Sequence, residues 1–136
     1  MNRKDLQALA NLRLREAQAL FKAREFSGAY YLAGYAVECA LKACIAKQVK
    51  RHDFPDKKSM NDAHTHDLEK LSGLANLESS RLALAQANEN FRKNWDIITS
   101  WSEASRYKTF DKLTCRIFLD AIMEEQHGVL PWIKQV

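Results

Sequence analysis

The stretch SGAYYLAGYAVECALKACIAKQVK, residues Ser27–Lys50, decides the fold of this 136-residue chain. It contains no proline and only two glycines, both near its start, so its composition favours a helix. At about 100° per residue, four alanines share one face and larger apolar residues flank them, giving an apolar arc of roughly 240°. Such an arc is wider than the stripe of a surface helix and predicts a central helix with neighbours on several sides.

The remaining arc of this helix carries Tyr31, Tyr35, Glu38 and Lys42. Glu38 and Lys42 are spaced i, i+4, in the order that favours an ion pair. One interpretation is a solvated surface pair that contributes about 0.2–0.5 kcal/mol. The other is that Tyr31, Tyr35 and Glu38 line a binding site or a dimer interface, and both interpretations stay open at this stage.

Composition and charge fit a single globular domain over residues 1–136. Glycine and proline occur only four and two times, which argues against an all-β fold with its many tight turns. Residues 1–58 hold twelve Lys or Arg and six Asp or Glu, a net +6, whereas residues 59–136 hold nine and eleven, a net −2. A basic half indicates an anionic partner such as RNA or a nucleotide, although so modest an excess equally suits simple solubility.

Several features predict a soluble cytoplasmic protein. The three cysteines, Cys39, Cys44 and Cys115, form no CxxC pair and are interpreted as reduced core residues. The charged opening MNRKDLQALANLRLREAQ lacks the apolar core of a secretory signal. No run of about 18 apolar residues is present, so no membrane segment is predicted.

The periodicity predicts an all-α, up-down bundle of four to five helices. In the last of these, Leu113 and Ile117 are expected to face inward together with Phe118 and Ile122. One long, charged loop is expected at Arg51–His64 and a shorter connection at Glu103–Phe110. The predicted helices are Asp5–Ala23, Ser27–Arg51, Asp67–Ala75, Arg81–Ser102 and Asp111–Gln126, with one further turn starting at Pro131.

Motifs for known cofactors are absent from the sequence. There is no glycine-rich phosphate loop, zinc-finger spacing or HExxH. His64 and His66, with Asp62 and Asp67 nearby, could hold a metal, but such residues at a loop end more often cap a helix or face solvent. We therefore predict no metal and no cofactor.

Three polar positions form the predicted site. Glu38 lies in the most apolar helix, His66-Asp67 opens the short helix after the long loop, and Arg106-Tyr107 precedes the last helix. Both irregular segments can present polar groups beside the central helix, and a buried glutamate needs a cation or donor. We predict that Glu38, His66 and Arg106 approach one another; the competing interpretation is scattered caps and surface charges. The predicted ligand-binding residues are Glu38, Lys42, His66, Asp67, Arg106 and Tyr107.

Four segments resemble HEPN domains. The run Phe26–Ala43, FSGAYYLAGYAVECALKA, resembles the second helix of that family. His66-Asp67-Leu68 is similar to the His-Asp-Leu segment after the family's variable loop, and Arg106-Tyr107 to its Arg-Tyr before the last helix. Trp132-Ile133-Lys134 is similar to the common ending, so the resemblance spans roughly Leu20 to Lys134.

The resemblance implies a dimerising helical bundle involved in nucleotide and RNA handling. Many members are partners of a small nucleotidyltransferase in toxin–antitoxin pairs. The RNase members use an Arg-x(4–6)-His motif, whereas the next histidine after Arg106 here is His127, and Lys108 replaces the usual proline.

Three functions therefore compete. The expected one is a HEPN-domain binding or regulatory module for nucleotide, RNA or a nucleotidyltransferase, without the standard nuclease motif. The second is a metal-independent RNase with His66 as general acid/base, Arg106 stabilising phosphate charge and Glu38 orienting one of them. The third is a dimeric scaffold without a ligand.

Overall fold

The structure is a computed structural model that describes residues 1–52 and 62–136, with side chains described for residues 1–48 and 62–136. These residues form helices and no strand, which confirms the prediction of an all-α bundle. Most of the predicted loop Arg51–His64 lies outside the described residues. The elements are α1 (Arg3–Lys22), α2 (Phe26–His52), α3 (Leu68–Leu74), α4 (Glu78–Ala87), α5 (Glu89–Thr99), a 3-10 helix (Glu103–Tyr107), α6 (Lys112–Met123) and α7 (Val129–Gln135).

Helix α2 is the centre of the bundle. It packs most extensively on α1 and also contacts α3, the 3-10 helix, α6 and α7. Ala29, Ala33 and Ala36 are fully buried, as are the larger Val37 and Leu41. The small side chains let the neighbouring helices approach closely, as the wide apolar arc predicts. No helix within the described ranges combines the length and apolar character needed to cross a bilayer.

A tight turn joins α1 to α2. Arg24 adopts φ 65°, the left-handed conformation that reverses the chain direction, and Phe26 packs edge-on against Phe21 with ring centroids 5.3 Å apart. Helix α2 begins at Phe26, one residue before its predicted start at Ser27. The Ser27 hydroxyl accepts a hydrogen bond from the Phe110 backbone N–H at 2.8 Å. This bond ties the segment before α6 to the start of the central helix.

The predicted helix Arg81–Ser102 is interrupted at Asn88. The backbone of Asn88 is extended, with φ −143°, and its side chain accepts a hydrogen bond from the Phe91 N–H at 3.0 Å. Asparagine is among the best N-cap residues, so it starts α5 and ends α4. The bundle consequently has more helices than the four to five predicted, although its class is unchanged.

Helix α6 buries a different face from the predicted one. Leu113 and Ile117 were expected inward, but they are 65% and 45% exposed, so this prediction is wrong. The helix carries apolar residues around most of its circumference, and periodicity alone does not decide which of them meet the core. The buried residues are Cys115, Phe118, Leu119, Ala121 and Ile122.

The cysteines are free, and two of them belong to the core. Burial raises the pKa of the Cys39 and Cys115 thiols to about 11. Both therefore stay protonated near neutral pH, and a protonated thiol is a poor nucleophile. Cys44 is only partly buried and lies between α2 and α7, where its thiol faces the Ile133 carbonyl oxygen at 3.9 Å.

Candidate functional site

Glu38 is a buried carboxylate in the middle of α2, with only 1% of its side chain exposed. Its Oε1 lies 2.8 Å from His66 Nδ1, and its Oε2 lies 3.3 Å from Lys42 Nζ. Each carboxylate oxygen thus has its own partner, as a buried charge requires. The interpretation of Glu38 and Lys42 as a solvated surface pair is wrong, because Glu38 is withdrawn from solvent.

His66 lies in the extended segment just before α3 and is half-buried. Its Nδ1 faces Glu38, and its Nε2 lies 3.3 Å from Glu103 Oε2. Both ring nitrogens thus face carboxylate oxygens, and only the protonated imidazolium can donate hydrogen bonds from both. The ring is held in place by groups from two different elements of the fold.

Arg106 reaches the same group of charges through Glu103. Its Nη1 lies 3.3 Å from Glu103 Oε1, so the two oxygens of Glu103 bridge His66 and Arg106. The guanidinium carbon also lies 4.8 Å from the centre of the Tyr107 ring, within cation–π range. Tyr107 is 78% exposed and offers an open aromatic face beside a charge.

The result is a line of side chains in which basic and acidic groups alternate: Lys42, Glu38, His66, Glu103 and Arg106. We refer to these five residues below as the charge network. The structure brings Glu38 and His66 into direct contact, whereas Arg106 joins them through Glu103. The network therefore connects α2, the start of α3 and the 3-10 helix.

The remaining predicted residue, Asp67, has a structural task. It is exposed, and its side chain caps α3 by accepting a hydrogen bond from the Lys70 N–H at 3.2 Å. Its own N–H donates to the Thr65 hydroxyl at 3.2 Å. Among its contacts in the described residues, capping is therefore the role that the geometry gives Asp67.

Glu103 is the network member that sequence reasoning missed. The sequence predicts only a connection over Glu103–Phe110 and assigns Glu103 no role in the site. The i, i+3 spacing of Glu103 and Arg106 was the available signal, because that spacing pairs opposite charges along one turn of a helix. Recognising it required knowing that the connection forms a 3-10 helix.

A cleft of about 530 Å³ lies beside the charge network. His66 and Glu103 form part of its wall, and Trp101 lines it with a side chain that is almost fully buried. The Trp101 ring stacks near Tyr31, with centroids 6.1 Å apart. The lining residues are Thr65, His66, Asp67, Glu69, Thr99, Ser100, Trp101, Ser102 and Glu103.

Gly34 sets the position of Trp101. A Cβ atom on Gly34 would lie 2.2 Å from Trp101 Nε1 and 2.3 Å from two further ring atoms. The indole therefore rests directly on the α2 backbone, in space that any other residue would fill. Gly34 thus fixes one wall of the cleft from inside the central helix.

Tyr35, close to Glu38, carries a neutral phenol near neutral pH. Burial raises the pKa of Tyr35, with further contributions from the nearby Cys39 and Glu38. Tyr35 therefore keeps its proton near neutral pH and adds no negative charge. In the part of the chain that the structure describes, no group of three or more His, Cys, Asp or Glu side chains is arranged to hold a metal ion.

Comparison with models of protein families, with curated proteins and with solved structures finds no match for this chain. The HEPN resemblance therefore stays a prediction based on the residues quoted above.

Proposed function

We propose that this chain is a HEPN-like module that binds a phosphate group of a nucleotide or RNA between His66 and Arg106. The supporting observation is the carboxylate of Glu103. One of its oxygens lies 3.3 Å from His66 Nε2, and the other lies 3.3 Å from Arg106 Nη1. Two donors that converge on one anion form a site for forked recognition of carboxylate or phosphate. We propose that a bound phosphate takes the position that the Glu103 carboxylate occupies in the structure.

Displacing Glu103 requires little free energy. Its side chain is 39% exposed, and ion pairs at such positions contribute only about 0–1 kcal/mol. A phosphate carries more charge and more acceptor oxygens than a carboxylate, so it competes well for the same donors. Glu38 meanwhile holds His66 from the buried side, which keeps one donor oriented before the ligand arrives.

The resemblance supports a regulatory setting for this binding. We propose a cytoplasmic protein that partners a small nucleotidyltransferase, as toxin–antitoxin members of the family do. Three free thiols suit a reducing compartment. Co-purification with the nucleotidyltransferase encoded by a neighbouring gene tests this partner. If the two proteins are co-expressed and do not associate, the result argues against the partnership.

The proposed site makes opposite predictions for Arg106 and for Glu103, which pairs with it. Arg106→Ala should weaken binding of ATP or a short oligoribonucleotide about tenfold, because a hydrogen bond to a charged group is worth about 1.5–3 kcal/mol. Glu103→Gln should instead strengthen binding several-fold, because it removes the competing negative charge. Isothermal titration calorimetry measures both changes.

Arg92→Ala is the matched control, since Arg92 is exposed and pairs with Glu89 and Asp96 on α5. It should bind like the parent protein. Equal weakening by Arg106→Ala and Glu103→Gln would contradict a phosphate position between His66 and Arg106. Thermal melts of all three variants report whether folding is intact.

The RNase alternative has one observation in its favour. A histidine oriented by a buried carboxylate is the arrangement of a general acid/base, and Glu38 holds His66 in that way. We nevertheless expect no cleavage of bulk RNA in chelator, given the absent Arg-x(4–6)-His motif. Gel assays with the parent protein and His66→Ala test this expectation. Chelator-resistant cleavage that His66→Ala abolishes would make the protein an RNase.

We also propose that the protein is a homodimer. Leu113 and Ile117 lie one turn apart on α6 and are largely exposed, which supports a role in contact with a second chain. Replacing both with lysine should convert a dimer into a monomer in multi-angle light scattering. Leu82→Lys is the control, because Leu82 is 52% exposed on α4. A parent protein that is monomeric at high micromolar concentration would remove the proposal.

A further inference from the structure

A second cavity, of about 280 Å³, lies between α1, α2 and α7. Its α2 residues, Ala40, Ala43, Cys44 and Lys47, fall on the opposite side of that helix from Glu38 at about 100° per residue. We call this cavity the basic groove. It is separate from the charge network, so its ligand does not depend on the phosphate position proposed there.

Three cations line the basic groove: Arg3 from α1, Lys47 from α2 and Lys134 from α7. No aspartate or glutamate side chain is among its lining residues. The Lys134 ammonium donates a hydrogen bond to the Asn11 side-chain oxygen at 3.0 Å, so the Lys134 side chain is turned toward α1. Arg3 and Lys47 also act on Cys44, since both partly offset the effect of burial, which raises the pKa of its thiol.

The floor of the basic groove is apolar and made largely of small side chains. Ala10, Ala40, Ala43 and Ile133 are each at least nine-tenths buried, and three of these four are alanines. Two neutral polar side chains, Gln7 and Asn11, lie on the α1 side. A shallow apolar floor with amide groups at its edge suits a planar heteroaromatic ring, which needs a flat surface and a few hydrogen bonds.

We infer that the basic groove binds a nucleoside monophosphate, with the phosphate among Arg3, Lys47 and Lys134 and the base on the alanine floor. Arg3, Lys47 and Lys134 provide the charge for a phosphate dianion, and Val136, the last residue described, also lines the groove. The cavity is slightly smaller than the usual range of about 300–1,000 Å³ for ligand sites, which favours a small ligand over a dinucleotide or an extended chain.

Calorimetry with AMP, adenosine and inorganic phosphate tests this inference. AMP should bind the parent protein more tightly than either fragment, because it alone meets both the cations and the floor. The double variant Lys47→Gln/Lys134→Gln should lose about tenfold or more in AMP affinity. Lys134 is exposed and Lys47 is partly exposed, so the variant is expected to fold, which circular dichroism verifies.

Arg92→Ala is the matched control, since Arg92 is exposed on α5 and lines neither the basic groove nor the cleft beside the charge network. AMP affinity that survives in Arg92→Ala and falls in the double variant supports the basic groove. AMP affinity that survives in the double variant but falls in Arg106→Ala would overturn the inference and assign AMP to the charge network instead. Equal binding of phosphate and AMP would overturn the role of the floor, and no AMP binding at all would overturn the site.

Cys44 provides an independent readout. It lines the basic groove and is partly exposed, whereas Cys39 and Cys115 are buried. In alkaline solution, alkylation of the folded protein should therefore be fastest at Cys44. AMP should slow this labelling and adenosine should not. Labelling that AMP leaves unchanged would contradict a ligand seated beside Cys44.

Discussion

Replacing Glu38 with alanine is expected to lower the free energy of unfolding by about 2–4 kcal/mol, because it removes the buried carboxylate that pairs with both His66 and Lys42. The figure lies somewhat below that for a fully buried pair, since His66 and Lys42 retain some access to solvent. Urea denaturation followed by far-ultraviolet circular dichroism measures the loss.

Glu38→Gln provides the comparison that separates charge from packing. The amide keeps the shape of the side chain but lacks the negative charge, so it should lose part of the stability only. A double-mutant cycle with His66→Ala isolates the coupling between Glu38 and His66. Unfolding free energies of Glu38→Ala and the parent that agree within about 0.5 kcal/mol would contradict the role assigned to this carboxylate.

Replacing Gly34 with alanine is expected to cost about 3 kcal/mol, at the upper end of what overpacking a core does. The added Cβ would overlap three atoms of the Trp101 ring, and the indole has to leave its place on α2. The greater helix propensity of alanine, about 1 kcal/mol, does not offset this. Near-ultraviolet circular dichroism should show the change around Trp101, and denaturation should show the lost stability.

Gly73→Ala is the matched control for that experiment. No atom lies within 4 Å of a Cβ placed on Gly73, which is in α3. The same substitution there should stabilise the protein by about 0.5–1 kcal/mol, because glycine is unfavourable inside a helix. If Gly34→Ala behaved like Gly73→Ala, Trp101 would not rest on the α2 backbone as described.

The central position of α2 was predictable from the sequence because an apolar arc that wide has only one stable environment. The proximity of Glu38 and Lys42 followed from helical spacing alone. The contact of Glu38 with His66 was harder, because it depends on how α3 docks. It was predicted because the segment before α3 is irregular and can present polar groups beside the central helix, where a buried carboxylate needs a partner.

Other features depended on information that local patterns do not contain. The break at Asn88 required choosing between continued helix and a cap, and both are compatible with the surrounding periodicity. The exposure of Leu113 and Ile117 depends on the rotation of α6 against its neighbours. The close approach of Gly34 and Trp101 joins residues far apart in the chain, and no local rule pairs them.

The charge network also affects the order in which the molecule folds. Glu38 and His66 are 28 residues apart in the chain, and the network draws in the 3-10 helix as well. The α1–α2 hairpin, by contrast, closes through a short turn and makes the most extensive helix contact in the bundle. Bringing distant segments together costs more chain entropy than closing a short turn. The hairpin should therefore form early and the charge network late. A partly folded chain would then have its central helix in place before its charge network is complete.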